Sequence, residues 1–385
     1  MLIGSGSAES LAEQGTPLFV YDAARIAAQV QRFRAAFPSV ALHYAVKANP
    51  YPPLLETMAA LVDGFDVASA GEIARVAGLG LPISFAGPGK CDPELEDAIR
   101  SGITINLESQ AEAERALALG QQLGITPKLA IRVNPPFGIK GAGMKMGGLA
   151  SPFGVDHEHV GALVRRIIDA GANWRGLHIY AGSQSLSAEA IIEAHRAIFA
   201  LAATIAKEAG AAPPEVNLGG GFGIPYFAKA EPLDLEIIGS GLAKSLADRY
   251  DLLRGTKFAI ELGRWLVGEA GVYLTRIVDR KVSRGKTFLI TDGGLHHMLA
   301  ASGNFGQLLR RNYPVAIANR FSAEAEEEVT IVGCLCTPLD LLADEVRLPR
   351  AEVGDLVAVF CAGAYGLSAS PAAFLSQPAA REILV

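Results

Sequence analysis

Short runs rich in β-branched and aromatic residues recur along the chain, separated by stretches whose apolar positions follow helical spacing. The runs are LHYAV (42–46), FDVAS (65–69), ISFAG (83–87), ITINLES (103–109), LAIRVN (129–134), GLHIYAG (176–182), EVNLG (215–219) and FAIEL (258–262). Between them lie PPLLETMAALV, GEIARVAGLG, PELEDAIRSG, QAEAERALALGQQLG and EHVGALVRRIIDAG. Several of these close on the glycine that often caps a helix C-terminus. Strands alternating with helices predict a parallel sheet covered on both faces. Eight such units within about 250 residues have the size of a (β/α)8 barrel, with a doubly wound open sheet as the rival.

From about residue 266 the pattern changes. GVYLTRIVDRKVS, KTFLITDGG, EVTIVGCLC and GDLVAVFC follow one another with few helical stretches between them. The early run PLFVYD (17–22) is a candidate to join them. The expected fold is α/β: a barrel over 23–265, plus a β-rich domain from 1–22 and 266–385. A length of 385 residues agrees, since one core seldom serves so long a chain.

Composition narrows the partners. Half the residues are hydrophobic, 19% are charged, net charge is -6, and no Lys/Arg-rich run appears. That argues against nucleic acid and acidic membrane surfaces as partners. The apolar run AIFALAATIA (197–206), bounded by Arg196 and Lys207, is too short to span a bilayer. The N-terminus lacks the pattern of a secretion signal, and four cysteines make no disulfide framework, so a reducing cytoplasm is the expected location.

The first barrel run ends on Lys47, just before Asn49-Pro50. In a parallel barrel, active sites gather at that end of the strands. A lysine there can simply snorkel out of the sheet edge. Among apolar groups its ammonium form is disfavoured, and a neutral amine condenses with an aldehyde cofactor, of which pyridoxal 5'-phosphate is the commonest. Such a cofactor needs a phosphate cradle and a partner for its ring nitrogen. NLGGGFG (217–223) offers the first, since consecutive glycines let backbone N–H groups converge on an anion; a tight turn is the plainer reading. The spacing fails the dinucleotide fingerprint, and GPGK (87–90) lacks the spacer of a phosphate loop. Glu261, at the end of the eighth run, offers the second; a rim ion pair with Arg264 is the alternative.

Other candidates are weaker. Cys334 and Cys336 form C-x-C without further ligands at zinc spacing, so no metal is expected. His296-His297 reads as structural or rim, His157 and His159 as solvated, and Ser183 has no triad partners.

YAVKAN, FDVASAGEI, HIYAGSQ, NLGGGFG, ELGR, GCLCTPLDLL and GDLVAVFCAGAYG occur in the order found in pyridoxal-phosphate-dependent decarboxylases of the alanine-racemase-like fold. These include the diaminopimelate and ornithine/arginine decarboxylases. The likeness runs from about residue 17 to the C-terminus. GMKMGG (143–148), RRNYP (310–314), CTPLD (336–340) and AYGLSASPAAFL (364–375) resemble the branch of the butirosin-pathway glutamyl-[acyl-carrier-protein] and exosortase-associated decarboxylases.

The resemblance implies roles. Lys47 resembles the Schiff-base lysine. Gly219, Gly220, Gly221 and Ser183 resemble the phosphate site. Glu261 resembles the pyridinium partner, and Gly263 and Arg264 complete its motif. Arg264, Arg310 and Tyr313 resemble substrate contacts. Cys336 is similar to the cysteine that reprotonates Cα, and Tyr365 to a tyrosine reaching phosphate and substrate. The resemblance implies that Cys336 and Tyr365 come from the second subunit of a head-to-tail homodimer.

Three departures stand out. The usual Glu-Pro-Gly-Arg is Glu261-Leu262-Gly263-Arg264. The ring-stacking histidine is replaced by Tyr180, with His178 one strand period earlier on the same face. Thr337 stands where an acidic residue pairs with a distal ammonium, which argues against free diaminopimelate, lysine or ornithine. The expected activity is decarboxylation of an L-amino acid or an aminoacyl conjugate, including one tethered to a carrier protein. Diaminopimelate decarboxylation, racemisation and a non-catalytic cofactor carrier are the alternatives. Lys145 in GMKMGG is either a contact for a long substrate or a solvated turn.

Overall fold

The computed structural model describes every residue except 140, 142, 146, 228 and 306–309. Its elements follow the hydrophobic pattern closely. After strand β1 (Leu18–Tyr21) come α1 (Ala23–Ala36), β2 (Ala41–Ala45), α2 (Pro52–Ala59), β3 (Gly64–Val67), α3 (Ala70–Val76), β4 (Ile83–Phe85) and α4 (Asp92–Arg100). Next are β5 (Thr104–Leu107), α5 (Gln110–Leu123), β6 (Lys128–Asn134), α6 (His157–Asp169), β7 (Asn173–Ile179), α7 (Ala188–Ala209), β8 (Glu215–Asn217), α8 (Leu235–Ala247) and β9 (Lys257–Leu262). Strands β2 to β9 pair in parallel, each with the next, and β9 returns to β2 to close an eight-stranded barrel.

Local chemistry sets several strand-to-helix transitions. Ser69 caps α3 by accepting from the Glu72 amide, while the Glu72 carboxylate accepts from the Ala68 amide. Ser109 and Glu112 repeat the device at α5, with Glu112 accepting from the Glu108 amide. These reciprocal bonds satisfy amides that a helix start leaves unpaired.

The strands alternate. Leu42, Tyr44, Phe65, Ile105 and Ile131 face outward into the apolar layer beneath the helices, part of the same core as Ile26, Val30 and Phe33 of α1. The inward positions are polar or small. His43, Asp66, Ser84, Asn106, Arg132, His178, Asn217 and Glu261 supply one lumen residue per strand. This departs from the branched apolar filling usual in such barrels.

The second sheet contains β10 (Gly271–Ser283), β11 (Lys286–Thr291), β12 (Val315–Ile317), β13 (Glu327–Val332), β14 (Leu341–Leu348) and β15 (Leu356–Phe360). Its order is β12-β15-β10-β11-β13-β14. Strand β1 pairs antiparallel with β10 and parallel with β16 (Arg381–Leu384), so the PLFVYD run does enter this sheet. The pattern did not single out β12, β14 or β16: β12 is short, and in β14 only Leu342, Ala343 and Leu348 are buried. Among the described residues, no helix is long and apolar enough to cross a membrane. AIFALAATIA lies inside α7.

His296 and His297 are buried, with ring centroids 3.7 Å apart. His297 Nδ1 is 3.1 Å from the Tyr273 hydroxyl and Nε2 is 2.8 Å from the Pro378 carbonyl oxygen. They are structural, and among the described residues no group of three or more His, Cys, Asp or Glu could hold a metal. Burial pushes His297 down to about 4, and likewise His195 within α7. Both are neutral in the folded chain, so their stabilisation is complete above the ordinary histidine range and lost as pH falls from 6.5 towards 4. His43 runs the other way: burial opposes its charge, but Asp66 outweighs burial and raises it to about 9, a contribution lost between pH 6.5 and 9. Urea unfolding of the cofactor-free protein is expected to give maximal stability near pH 6.5. His195→Leu should flatten the acid flank by about 3 kcal/mol, the value of a shift of that size. An acid flank unchanged in the variant counts against this assignment.

Candidate active site

After β2 the chain makes one 3-10 turn, Val46–Ala48, that turns Lys47 over the C-terminal mouth of the barrel. Asn49 fixes the turn. Its carbonyl oxygen accepts from the Tyr44 hydroxyl at 3.0 Å, and its side-chain amide donates to the Gly363 carbonyl at 3.0 Å. The Tyr365 amide donates to the Ala48 carbonyl at 2.8 Å. The segment after β15 therefore grips the lysine turn directly.

One cleft at this mouth is lined by Lys47, Tyr180, Ser183, Gly221, Glu261, Gly263, Arg264 and Tyr365 of a single chain, together with Ala45, Phe222 and Leu262. Tyr365 thus stands beside Lys47 of its own subunit, which corrects the expectation that it arrives from a partner. Its backbone is tied to the lysine turn, so no second chain is needed to place it. Lys47 is open to water inside the cleft although protein surrounds it, and Nζ lies 5.8 Å from the Tyr180 ring centroid. Burial disfavours its charge, but Glu261, then Tyr365 and Tyr180, outweigh burial and hold it well above the usual lysine range. The neutral amine expected from apolar surroundings is not what this cleft favours, because an acid faces it.

Glu261 ends β9 with its side chain in the lumen. Its Oε2 lies 2.9 Å from His178 Nε2, both groups buried. Burial would raise this carboxyl, but the hydrogen bond and charge of His178, then Lys47 and Arg132, bring it well below the usual carboxylate range. The rim pair with Arg264 does not form. His178 does reach the site, through Glu261, and Tyr180 lies beside Lys47.

The glycine loop follows β8. A Cβ on Gly220 would sit 1.9 Å from the Glu261 carbonyl oxygen, and Gly221 holds φ +87°, so both positions need glycine. The Gly219 amide donates to Asn217 Oδ1 at 2.8 Å, whereas the Gly220 and Gly221 amides have no acceptor among the described residues. Free amides beside Ser183, an accessible amine and a buried carboxylate fit pyridoxal phosphate: the loop and Ser183 for the phosphate, Lys47 for the aldehyde and Glu261 for the ring nitrogen.

Arg264 begins a single helical turn, Arg264–Val267. Its Nη1 donates to the Tyr226 hydroxyl at 2.8 Å, and its guanidinium lies 4.6 Å from the Tyr365 ring centroid. Tyr313 packs against Tyr226 with ring centroids 4.8 Å apart and planes tilted by 38°. No carboxylate pairs with Arg264 among the described residues. Arg310 stands apart from this cleft: its Nε donates to the Ser302 carbonyl, its Nη1 donates to Asn312, and its Nη2 is buried without a partner. Cys336 is exposed and Thr337 half-buried on the loop between β13 and β14, and neither lines the Lys47 cleft of its own chain. In GMKMGG, Met146 lies outside the described residues, as does the Lys145 side chain.

Sequence reasoning missed four contributors. Tyr226 holds Arg264. Lys90 of GPGK is buried on the Gly87 and Asn106 carbonyls and on Glu112, so that lysine is structural. Glu108 binds Arg132 at 2.9 Å and accepts from the Gly87 and Gly154 amides. His43 faces Asp66 at 3.3 Å. For His43 and Glu108 the signal available was a polar residue in, or just after, an otherwise apolar strand; Tyr226 and Lys90, in loops, offered none.

A closed parallel barrel with a lysine and a buried carboxylate at its mouth, joined to a second sheet that grips the lysine turn, defines an enzyme built for a carbonyl cofactor. The comparisons make this specific. Residues 23–268 match the family model of the pyridoxal-dependent decarboxylase, pyridoxal binding domain. The L-glutamyl-[BtrI acyl-carrier protein] decarboxylase of Niallia circulans is 38% identical over 96% of this chain and 88% of its own length. A diaminopimelate decarboxylase of Archaeoglobus fulgidus is 33% identical over 98% and 89%. The crystal structure of diaminopimelate decarboxylase from M. jannaschii superposes with a TM-score of 0.89 at 27% identity, covering 99% of this chain and 89% of that one. The chain belongs to the pyridoxal-dependent decarboxylases.

Borohydride reduction of the cofactor-loaded protein is expected to leave a pyridoxyl mass on the peptide containing Lys47, and Lys47→Ala is expected to carry none. A label on another lysine would displace Lys47 from the role.

Proposed function

We propose that this decarboxylase removes the α-carboxyl group of an L-amino acid whose distal end is neutral or masked, as an amide or carrier-protein thioester, and releases the amine. The observation that carries the reading is the cleft of one chain in which Lys47 and Glu261 face each other beside a glycine loop with free amides. Pyridoxal phosphate, when bound, accepts the electron pair left at Cα as CO₂ departs. Lys47 would hold its aldehyde carbon. Ser183 and the Gly219–Gly221 loop, through the free amides of Gly220 and Gly221, would hold the phosphate, with Tyr365 and the Gly263–Arg264 backbone nearby. Glu261, oriented by His178, would keep the ring nitrogen protonated, and Tyr180 would lie against the ring.

Arg264 orients the substrate's carboxylate, backed by Tyr226 and Tyr313, and Arg310, which stands apart from this cleft, is left to meet the distal end of the substrate. Cys336 gives its thiol proton to Cα, a step typically worth about 10²–10⁴-fold. The absence of Cys336 and Thr337 from their own chain's cleft supports delivery from a second subunit, so the working unit in this reading is a cytoplasmic homodimer with shared sites. Thr337 offers no charge for a distal ammonium, and leaving such a group unpaired costs roughly 3–5 kcal/mol when buried. The relative named for an L-glutamyl carrier protein supports a tethered substrate. Diaminopimelate is the second reading, favoured by the relatives that carry that name. Racemisation is disfavoured by an acidic ring-nitrogen partner, and a bare cofactor carrier by the second sheet.

CO₂ release from the loaded enzyme, offered free L-glutamate, glutamyl carrier protein and diaminopimelate in parallel, tests the substrate; turnover of diaminopimelate alone would overturn the masked-end reading. Cys336→Ala is expected to slow amine formation while the cofactor still binds. Mixing equal amounts of Lys47→Ala and Cys336→Ala protein should restore about a quarter of wild-type activity if sites are shared in a twofold dimer. No recovery on mixing refutes sharing.

A further inference from the structure

Glu261 is flanked by two imidazoles, and only His178 has a place in the reading above. The other is His43. It stands opposite Glu261 in register on the adjacent strand β2, with its ring in the lumen. Gly64 on β3 makes the space: a Cβ there would meet the His43 ring at 3.1 Å. On its far side His43 Nδ1 lies 3.3 Å from Asp66 Oδ2, in the geometry of an ion pair rather than a hydrogen bond. Neither oxygen of Asp66 has a hydrogen-bond partner, and both residues are more than nine-tenths buried. A buried carboxylate with no donor needs a cation, and His43 is the cation within reach.

We propose that His43, charged by Asp66, is a positioning residue that keeps Glu261 ionised, and so able to accept from the cofactor's ring nitrogen across the working pH range. The proposal rests on the assignment of Glu261 to that nitrogen. The lumen thus holds two carboxylate–imidazole pairs side by side, Glu261–His178 and Asp66–His43, with Lys47 above them. The groups acting on His43 are Asp66 of β3, Asp63 before β3, Glu215 at the start of β8 and Glu261 of β9. All are acids, and together they outweigh the burial that opposes the imidazolium. Arg132 and Lys47 add positive charge near Glu261 from β6 and the lysine turn. Removing the His43 charge removes one of these supports and leaves Asp66 as an uncompensated negative neighbour.

The readout is the bound cofactor's own absorption band and its dissociation constant, followed from about pH 2 to 8 on the loaded protein, because Glu261 titrates well below the usual carboxylate range. In His43→Gln the acid-side loss of the band and of affinity should move up by about one pH unit, the effect of a lost unit charge a few ångströms away. His43→Asn should move it the same way and keeps the test open if His43→Gln folds poorly; Asp66→Asn, which removes the opposing acid along with the partner of His43, should move it less. Ser84→Ala, which removes the 2.6 Å Asn106–Ser84 hydrogen bond of the same lumen without changing charge, should lower stability and leave the titration in place. Glu261→Gln should abolish the acid-side titration. If it does and neither His43→Gln nor His43→Asn shifts the curve, the role given to His43 is wrong; if Glu261→Gln itself leaves the curve untouched, the assignment of Glu261 fails instead.

Discussion

A carboxylate inside a closed barrel has no surface to retreat to. Glu261 is on the lumen face of β9, and the loss of its hydration has to be offset where it stands. The 2.9 Å contact with His178 does that, reinforced by the charges of Lys47 and Arg132. Other lumen charges are compensated in the same way, His43 with Asp66 and Arg132 with Glu108. Small residues on the same face, among them Ala45, Gly64 and Ala259, leave room for these side chains. The polar lumen therefore follows from placing one acid at the mouth.

The same crowding dictates the backbone around it. Glycine is required at 220 because the carbonyl of Glu261 passes where a side chain would begin. The loop that presents free amides is thus locked to the strand that presents the acid. The lysine turn is locked from the other side, by Asn49 on Gly363 and by Tyr365 on Ala48. The second sheet is consequently part of the site even within one chain: it fixes the turn that carries the amine, and it contributes the ring against which Arg264 lies.

Much of this was readable in the residues. The eight strand runs and the helices between them are local patterns, and Lys47, Glu261 and the glycine loop fall at strand ends where barrels keep their chemistry. His178 was marked by its spacing from Tyr180. Tyr226, Lys90, Glu108 and Asp66 were not given roles: Asp66 is within a strand and Glu108 directly follows one, but Tyr226 and Lys90 lie in loops where no strand alternation marks them. An isolated polar residue in a strand does not announce its partner. His178 and Glu261 are 83 positions apart, and Thr16 and Asp292, which bond across the second sheet, are 276 apart.

The sequence alone determined the order and type of the barrel's elements, their parallel pairing and the family resemblance, because hydrophobic period, helix caps and short motifs act over a few residues. Tertiary structure alone decided that Lys47 is held charged, that Tyr365 serves its own subunit's cleft, that Cys336 does not, and that Glu261 answers to an imidazole and not to Arg264. Those outcomes depend on strand register around the barrel and on where the second sheet lands. Register is a collective property of closure, set by all eight strands at once.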